Sequence, residues 1–150
     1  AGSKSVEELQ QIVARAQRPF ILKGIMTARG AEKALEAGAS GIVVSNHGGR
    51  VLDHCPATAE VLPDIVDAVG GKMTIFVDGA IRSGMDMFKA LALGADAVLI
   101  GRPFVTTVYG GGEEGVQLYV QKLKAELADT MRMCGAHSLA DIKRSMLFGF

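Results

Sequence analysis

The sequence predicts an α/β fold of four strand–loop–helix units, the C-terminal half of a TIM-type (β/α)8 barrel. Three observations predict it. Four short apolar runs, Phe20-Ile21-Leu22, Gly41-Ile42-Val43-Val44, Thr74-Ile75-Phe76-Val77 and Ala97-Val98-Leu99-Ile100, are each followed by a helical pattern. The stretch Lys33-Ala34-Leu35-Glu36-Ala37-Gly38-Ala39 returns as Lys89-Ala90-Leu91-Ala92-Leu93-Gly94-Ala95, and each copy leads into an apolar strand. The strands do not alternate apolar and polar residues, as expected where helices cover one face and a barrel interior the other. A repeat of strand, loop and helix requires parallel strands with right-handed crossovers. A complete barrel takes about 250 residues, and this chain has 150. Alone, its first and fourth strands would present unpaired edges. The chain is therefore expected to pair with the N-terminal half of a barrel or with a second copy of itself, as an oligomer.

Composition narrows the function classes. Sixteen basic and sixteen acidic residues cancel, so no basic footprint for nucleic acid is expected. No apolar run is long enough to span a membrane, and no charged-then-apolar leader opens the sequence. Two cysteines, Cys55 and Cys134, make neither a disulfide framework nor a metal site, which points to the reducing cytoplasm. The 19 glycines are spread through the chain, which suits tight strand–helix turns better than disorder.

The elements follow in order. Ser5-Val6-Glu7-Glu8 reads as a capping box, and the helix after it places Val6, Leu9, Ile12 and Val13 on one face until Pro19 nears. The strand Phe20–Leu22 ends in Lys23-Gly24. Thr27 caps a helix over 28–37 that Gly38 closes. The strand Gly41–Val44 opens into a loop running to about Ala57. Thr58 is expected to cap the next helix, which carries Val61, Leu62, Ile65 and Val69 and stops at Gly70-Gly71. The strand Thr74–Val77 leads to Asp78-Gly79-Ala80-Ile81-Arg82, and Ser83 caps the helix carrying Met87, Phe88 and Leu91. The strand Ala97–Ile100 precedes Gly101-Arg102-Pro103. Gly110-Gly111-Gly112 reads as a link before a long helix over 113–133, and Ser138-Leu139-Ala140-Asp141 starts a last short one.

In such folds ligands bind at the C-terminal ends of the strands. The polar groups falling there are Lys23, His47 with Arg50, Asp78 with Arg82, and Gly101-Arg102. His47 supplies an imidazole, a side chain that can take or give a proton. Arg50 offers a planar fork for a carboxylate, and Gly48-Gly49 lets the backbone approach a flat ligand. Read blandly, these are a surface histidine and a surface arginine. Gly79, Ala80, Gly101 and Arg102 offer backbone N–H groups in tight turns, and Arg82 and Arg102 can neutralise a phosphate. Arginines at helix starts are mildly unfavourable without an anion, which favours a phosphate over two plain surface residues. Lys23 either offsets negative charge on a cofactor, pairs with a carboxylate, or snorkels to solvent. His54, His137 and Cys55 read as ordinary residues without an activating setting.

Together these motifs closely resemble the FMN-dependent 2-hydroxy acid oxidases and dehydrogenases, the family of glycolate oxidase and lactate oxidase. The resemblance rests on Leu22-Lys23-Gly24; Ser45-Asn46-His47-Gly48-Gly49-Arg50 with Leu52-Asp53 and Pro56-Ala57-Thr58; Asp78-Gly79-x-Ile81-Arg82-x-Gly84; and Ala90–Ala95 leading to Gly101-Arg102-Pro103. It implies a flavoprotein oxidoreductase that converts an L-2-hydroxy acid to the 2-keto acid with two electrons passing to FMN. It implies Lys23 at the N1 and O2 edge of the flavin, Ser45 near the ring, and Asp78 on the ribityl chain. Gly79, Ala80, Arg82, Gly101 and Arg102 would hold the phosphate, His47 would be the base, and Arg50, with His47, would bind the substrate.

Two departures stand out. The family usually has Asp-Gly-Gly where this chain has Asp78-Gly79-Ala80. The family's N-terminal half, which supplies substrate-binding tyrosines and the carboxylate partnering the catalytic histidine, is not in this sequence. A competing reading is therefore a half-barrel that binds FMN or phosphate without catalysis and self-associates. A third, an FMN barrel isomerising a diphosphate, does not call for the His47–Arg50 pair.

Overall fold

A computed structural model describes residues 3–149. The chain divides into two compact units, one ending at Gly79 and one beginning at Ala80.

The first unit opens with α1 (Val6–Ala16), capped as its sequence requires: the Ser5 hydroxyl accepts from the Glu8 N–H and the Glu8 carboxylate accepts from the Ser5 N–H. No α1 residue is fully buried, although Val6, Leu9 and Val13 are half-buried. β1 (Ile21–Ile25) follows, then α2 (Ala28–Glu36), β2 (Gly41–Val44), α3 (Thr58–Val69) and β3 (Thr74–Val77). The three strands pair in parallel in the order β1-β2-β3. Their C-terminal ends therefore lie along one edge. The core lies between β2, β3 and α3: Ile42, Val44, Ile75, Leu62, Ile65 and Val69 are at most 1% exposed. Ala31 and Ala34 let α2 lie close to the sheet and to α3.

Two sequence expectations are corrected here. β1 does not stop at Leu22. It bulges at Gly24, where the pairing shifts, and Ile25 rejoins the ladder opposite Val44. Gly24 has φ +100, open to glycine and strained for other residues, so the bulge is built where the sequence allows it. Thr58 is not the cap of α3. Ala57 takes that position, and Glu60 accepts from its N–H. The Thr58 hydroxyl instead donates to the Asp78 carbonyl at 2.6 Å.

The second unit holds α4 (Gly84–Ala92), β4 (Ala97–Val98) and α5 (Arg102–Cys134), then two short 3-10 turns over Leu139–Asp141 and Arg144–Met146. Ser83 and Asp86 form the capping box of α4. β4 is shorter than predicted, because Leu99 and Ile100 leave extended pairing as the chain turns at Gly101 into α5. The expected last helix is only a 3-10 turn, with Asp141 accepting from the Ser138 N–H.

The largest correction is at Gly110-Gly111-Gly112, which is no separate link. Glycine costs about 1 kcal/mol in a helix interior, so the run reads as a break. Helix nevertheless begins at Arg102 and leaves helical geometry only at Gly112 (φ 54, ψ −137). There α5 folds back on itself. The Phe104 and Tyr119 rings lie 5.1 Å apart, edge to face, whereas fifteen residues of straight helix would span about 22 Å. Contact across the bend offsets the glycine penalty.

Gly84 lies where α4 meets α5. A Cβ there would stand 2.2 Å from the Leu127 backbone nitrogen and 2.6 Å from the Glu126 carbonyl carbon. Backbone on the far side cannot yield cheaply. Gly84→Ala should therefore destabilise the chain by about 2 kcal/mol, read as a lowered denaturant midpoint at unchanged m-value.

Candidate active site

At the C-terminal edge of the first unit, three strands each contribute one polar residue. Lys23 sits inside β1, just before the bulge, rather than at the strand end. Ser45 directly follows β2, and Asp78 directly follows β3. The Lys23 ammonium donates to the Ser45 hydroxyl at 2.7 Å and pairs closely with Asp78 Oδ2. Of its readings, the carboxylate pairing is the one the structure shows.

The valences left over are informative. An ammonium has three donors, and Lys23 uses two. Its side chain is 46% exposed, so the third can reach a ligand. Ser45 is fully buried and accepts twice, from Lys23 and from the His47 N–H at 3.2 Å, which leaves its own proton to donate. Asp78 Oδ1 is buried with no hydrogen-bond partner. Such an orphaned acceptor is uncommon and calls for an explanation. Asp78 is also fixed through its backbone. Its N–H donates to the Val44 carbonyl, and its carbonyl accepts from the buried Thr58 hydroxyl.

His47 and Arg50 stand beside this cluster on a 3-10 turn over His47–Gly49. Asn46 shapes the turn: its Oδ1 accepts from the Gly48 N–H and its Nδ2 donates to the Pro56 carbonyl. His47 adopts φ +56, a left-handed conformation costing a non-glycine residue about 1 kcal/mol or more. Its imidazole rests over Gly24: a Cβ on that glycine would lie 2.5 Å from His47 Nε2. Neither the imidazole nor the exposed Arg50 guanidinium has a carboxylate partner among the described residues. His54, by contrast, stands in solvent beside Asp53.

The second unit carries Ala80, Arg82, Gly101 and Arg102. Both arginines are exposed and lack acidic partners among the described residues. The two helix starts differ, however. At α4, Asp86 accepts from the Arg82 and Ser83 N–H groups, and Glu126 accepts from the Gly84 N–H at 2.8 Å. Those carboxylates already supply the negative charge a helix start favours, so the arginine at α4 requires no outside anion. At α5, Gly101 has no side-chain cap, and Arg102 opens the helix. The N–H groups of Ala80, Gly101 and Arg102 meet no acceptor among the described residues. That set remains open to an anion.

Ala80 has φ +59. The Ala80 methyl therefore sits in left-handed strain. Ala80→Gly should raise stability by about 0.5 to 1 kcal/mol, the relief exceeding the entropy added to the unfolded chain. Equilibrium unfolding checks this, and a loss of stability would refute it.

Sequence reasoning passed over Gly24, Thr58 and Tyr119 as parts of the site. Gly24 and Thr58 lie within motifs already singled out. Tyr119 carries no local signal.

Comparison with known proteins adds the chemistry. A family model described as FMN-dependent dehydrogenase matches residues 1–148. The peroxisomal (S)-2-hydroxyacid oxidase GLO3 of Arabidopsis thaliana is 47% identical over 142 residues, covering 95% of this chain and 38% of that protein. The L-lactate oxidase of Roseobacter sp. (strain GAI101) is 44% identical over 146 residues, covering 97% of this chain and 40% of its own length. A crystal structure of mandelate oxidase with benzoyl-formic acid superposes with a TM-score of 0.90 at 43% identity, covering 95% of this chain and 43% of the other. The chain thus spans about two fifths of the length of the curated relatives it matches.

Proposed function

Because the chain belongs to the FMN-dependent dehydrogenase family, we propose that it is the base-carrying half of an FMN enzyme oxidising an L-2-hydroxy acid to the 2-keto acid. The substrate would be of the lactate or glycolate type. One observation carries the reading. Lys23, Ser45 and Asp78 are bonded to one another at the C-terminal edge of three parallel strands, with the His47 imidazole seated over Gly24 beside them.

The residues fit FMN. Lys23 has a spare donor for the electron-rich edge of the flavin, and its positive charge favours the reduced, anionic ring. Ser45 has a spare proton to donate near that ring. Asp78 Oδ1 is an orphaned acceptor suited to a ribityl hydroxyl. The second unit offers Gly101 and Arg102 at an uncapped helix start, with Ala80 and Arg82, for a phosphate; Gly79 is the turn glycine before them. FMN, when bound, would accept the two electrons of the oxidation together with the substrate's other hydrogen. The chain's own residues do the rest. Arg50 binds the substrate carboxylate, and His47 holds the substrate and takes one of its protons on the imidazole.

The remainder of the assembly belongs to the same proposal. Read as one FMN-binding half-barrel, the 150-residue chain would be completed by an N-terminal half or by a second copy. Ile21, on a strand, is 46% exposed, as an apolar side chain awaiting cover would be. A partner carboxylate for His47 would come from that other half. Placement in the cytoplasm rests on the two free cysteines.

Native mass together with flavin absorbance is the test. An assembly with N-terminal sequence and stoichiometric FMN, bleached by L-lactate or glycolate without oxygen, is expected. FMN that is bound but not bleached would favour the non-catalytic half-barrel. A colourless homodimer would mean an isolated half-barrel and would overturn the catalytic reading for this chain.

A further inference from the structure

Tyr119 touches both segments that carry the candidate phosphate donors. Its hydroxyl donates to the Arg82 carbonyl at 2.9 Å, across 37 residues of sequence. Its ring packs edge to face on Phe104, in the first turn of α5, two residues after Arg102. The Arg82 peptide is held from the other side as well, its N–H donating to Asp86 Oδ2 at 3.0 Å. Arg82 thus has a pinned backbone and a guanidinium without an acidic partner among the described residues. Gly112 makes this possible, because only the fold-back of α5 brings Tyr119 beside Phe104.

Resting on the FMN reading above, we propose that Tyr119 is a positioning residue for the flavin's phosphate. It sets the spacing between the Arg82 turn and the Gly101-Arg102 helix start, so that both meet one dianion. Burial raises the phenol pKa, and the nearby charges of Glu126 and Asp86 raise it further. The hydroxyl therefore stays protonated and keeps donating. The bond adds nothing to a ligand directly; it acts by holding Arg82 in place.

The test compares FMN with riboflavin, which shares the ring and ribityl chain and lacks the phosphate. Affinities are read by quenching of flavin fluorescence in the native assembly. Tyr119→Phe keeps the ring on Phe104 and removes only the hydroxyl. It should weaken FMN about fivefold, the size of one net hydrogen bond, while riboflavin changes by less than about twofold. Arg82→Gln should also weaken FMN, and Tyr119→Phe added to it should cost little more, because one acts through the other. Equal losses for both flavins, or independent losses in the double variant, would show a purely structural tyrosine and overturn the proposal. A wild-type protein that binds both flavins equally would instead refute the phosphate site itself, and Tyr119's role with it.

Discussion

Substituting His47 by Asn should lower kcat for the proposed 2-hydroxy acid oxidation about 10³-fold, within the range that removal of a general base costs, and should leave the FMN affinity within about twofold of wild type. Asparagine keeps polarity and approximate size but has no basic nitrogen. The turn is independent of the imidazole: it is held by the Asn46 bonds to Gly48 and Pro56 and by the His47 backbone N–H on Ser45. The variant should therefore fold. In the proposal Arg50 takes the substrate carboxylate and His47 only helps to hold the substrate, so KM should move less than kcat. Anaerobic stopped-flow bleaching of the flavin separates the two. Bleaching at the wild-type rate in His47→Asn would remove His47 from the chemistry and leave the family assignment untouched.

What the sequence disclosed follows the range of the interactions. Caps are local, so Ser5 with Glu8, Thr27 and Ser83 were legible, and all three cap as read. Buried central strands are dense and β-branched, so β2 was legible to the residue. The errors lie where distant residues decide. Thr58 looks like a cap from its neighbours, yet its hydroxyl goes to Asp78, 20 residues away. The glycine run reads as a link, yet the contact between Phe104 and Tyr119 keeps helix on both sides of Gly112. The carboxylates that hold the start of α4 were not read from the sequence, although Asp86 lies only three residues beyond the Ser83 cap. Glu126 reaches Gly84 across 42 residues, and no window of sequence contains both. The candidate site divides in the same way. The residue types at the strand ends came from the motifs. That Lys23 lies between Ser45 and Asp78, and that His47 rests over a glycine, came from the sheet pairing.

That glycine supports the second large effect. Gly24→Ala should lower kcat about 10²-fold, as a misplaced catalytic group does, in a protein destabilised by about 1 to 3 kcal/mol through the left-handed strain. Two separate features make the site intolerant. At φ +100 a side chain is strained whatever space surrounds it. The new methyl would also lie 2.5 Å from His47 Nε2 and 3.2 Å from Cε1, which no carbon can occupy while the ring stays. The ring is at the end of an exposed side chain, so it moves aside at small energetic cost. That ease is what makes the effect functional: the chain keeps its fold, and the imidazole loses its place. Lys23, the residue before it, should keep its bonds to Ser45 and Asp78, so FMN should still bind. The variant is thus expected to hold flavin, melt earlier, and show a changed imidazole resonance for His47 alongside the fall in kcat. A lower melting temperature with unchanged kcat and an unchanged resonance would mean that the position over Gly24 is not the one from which His47 works.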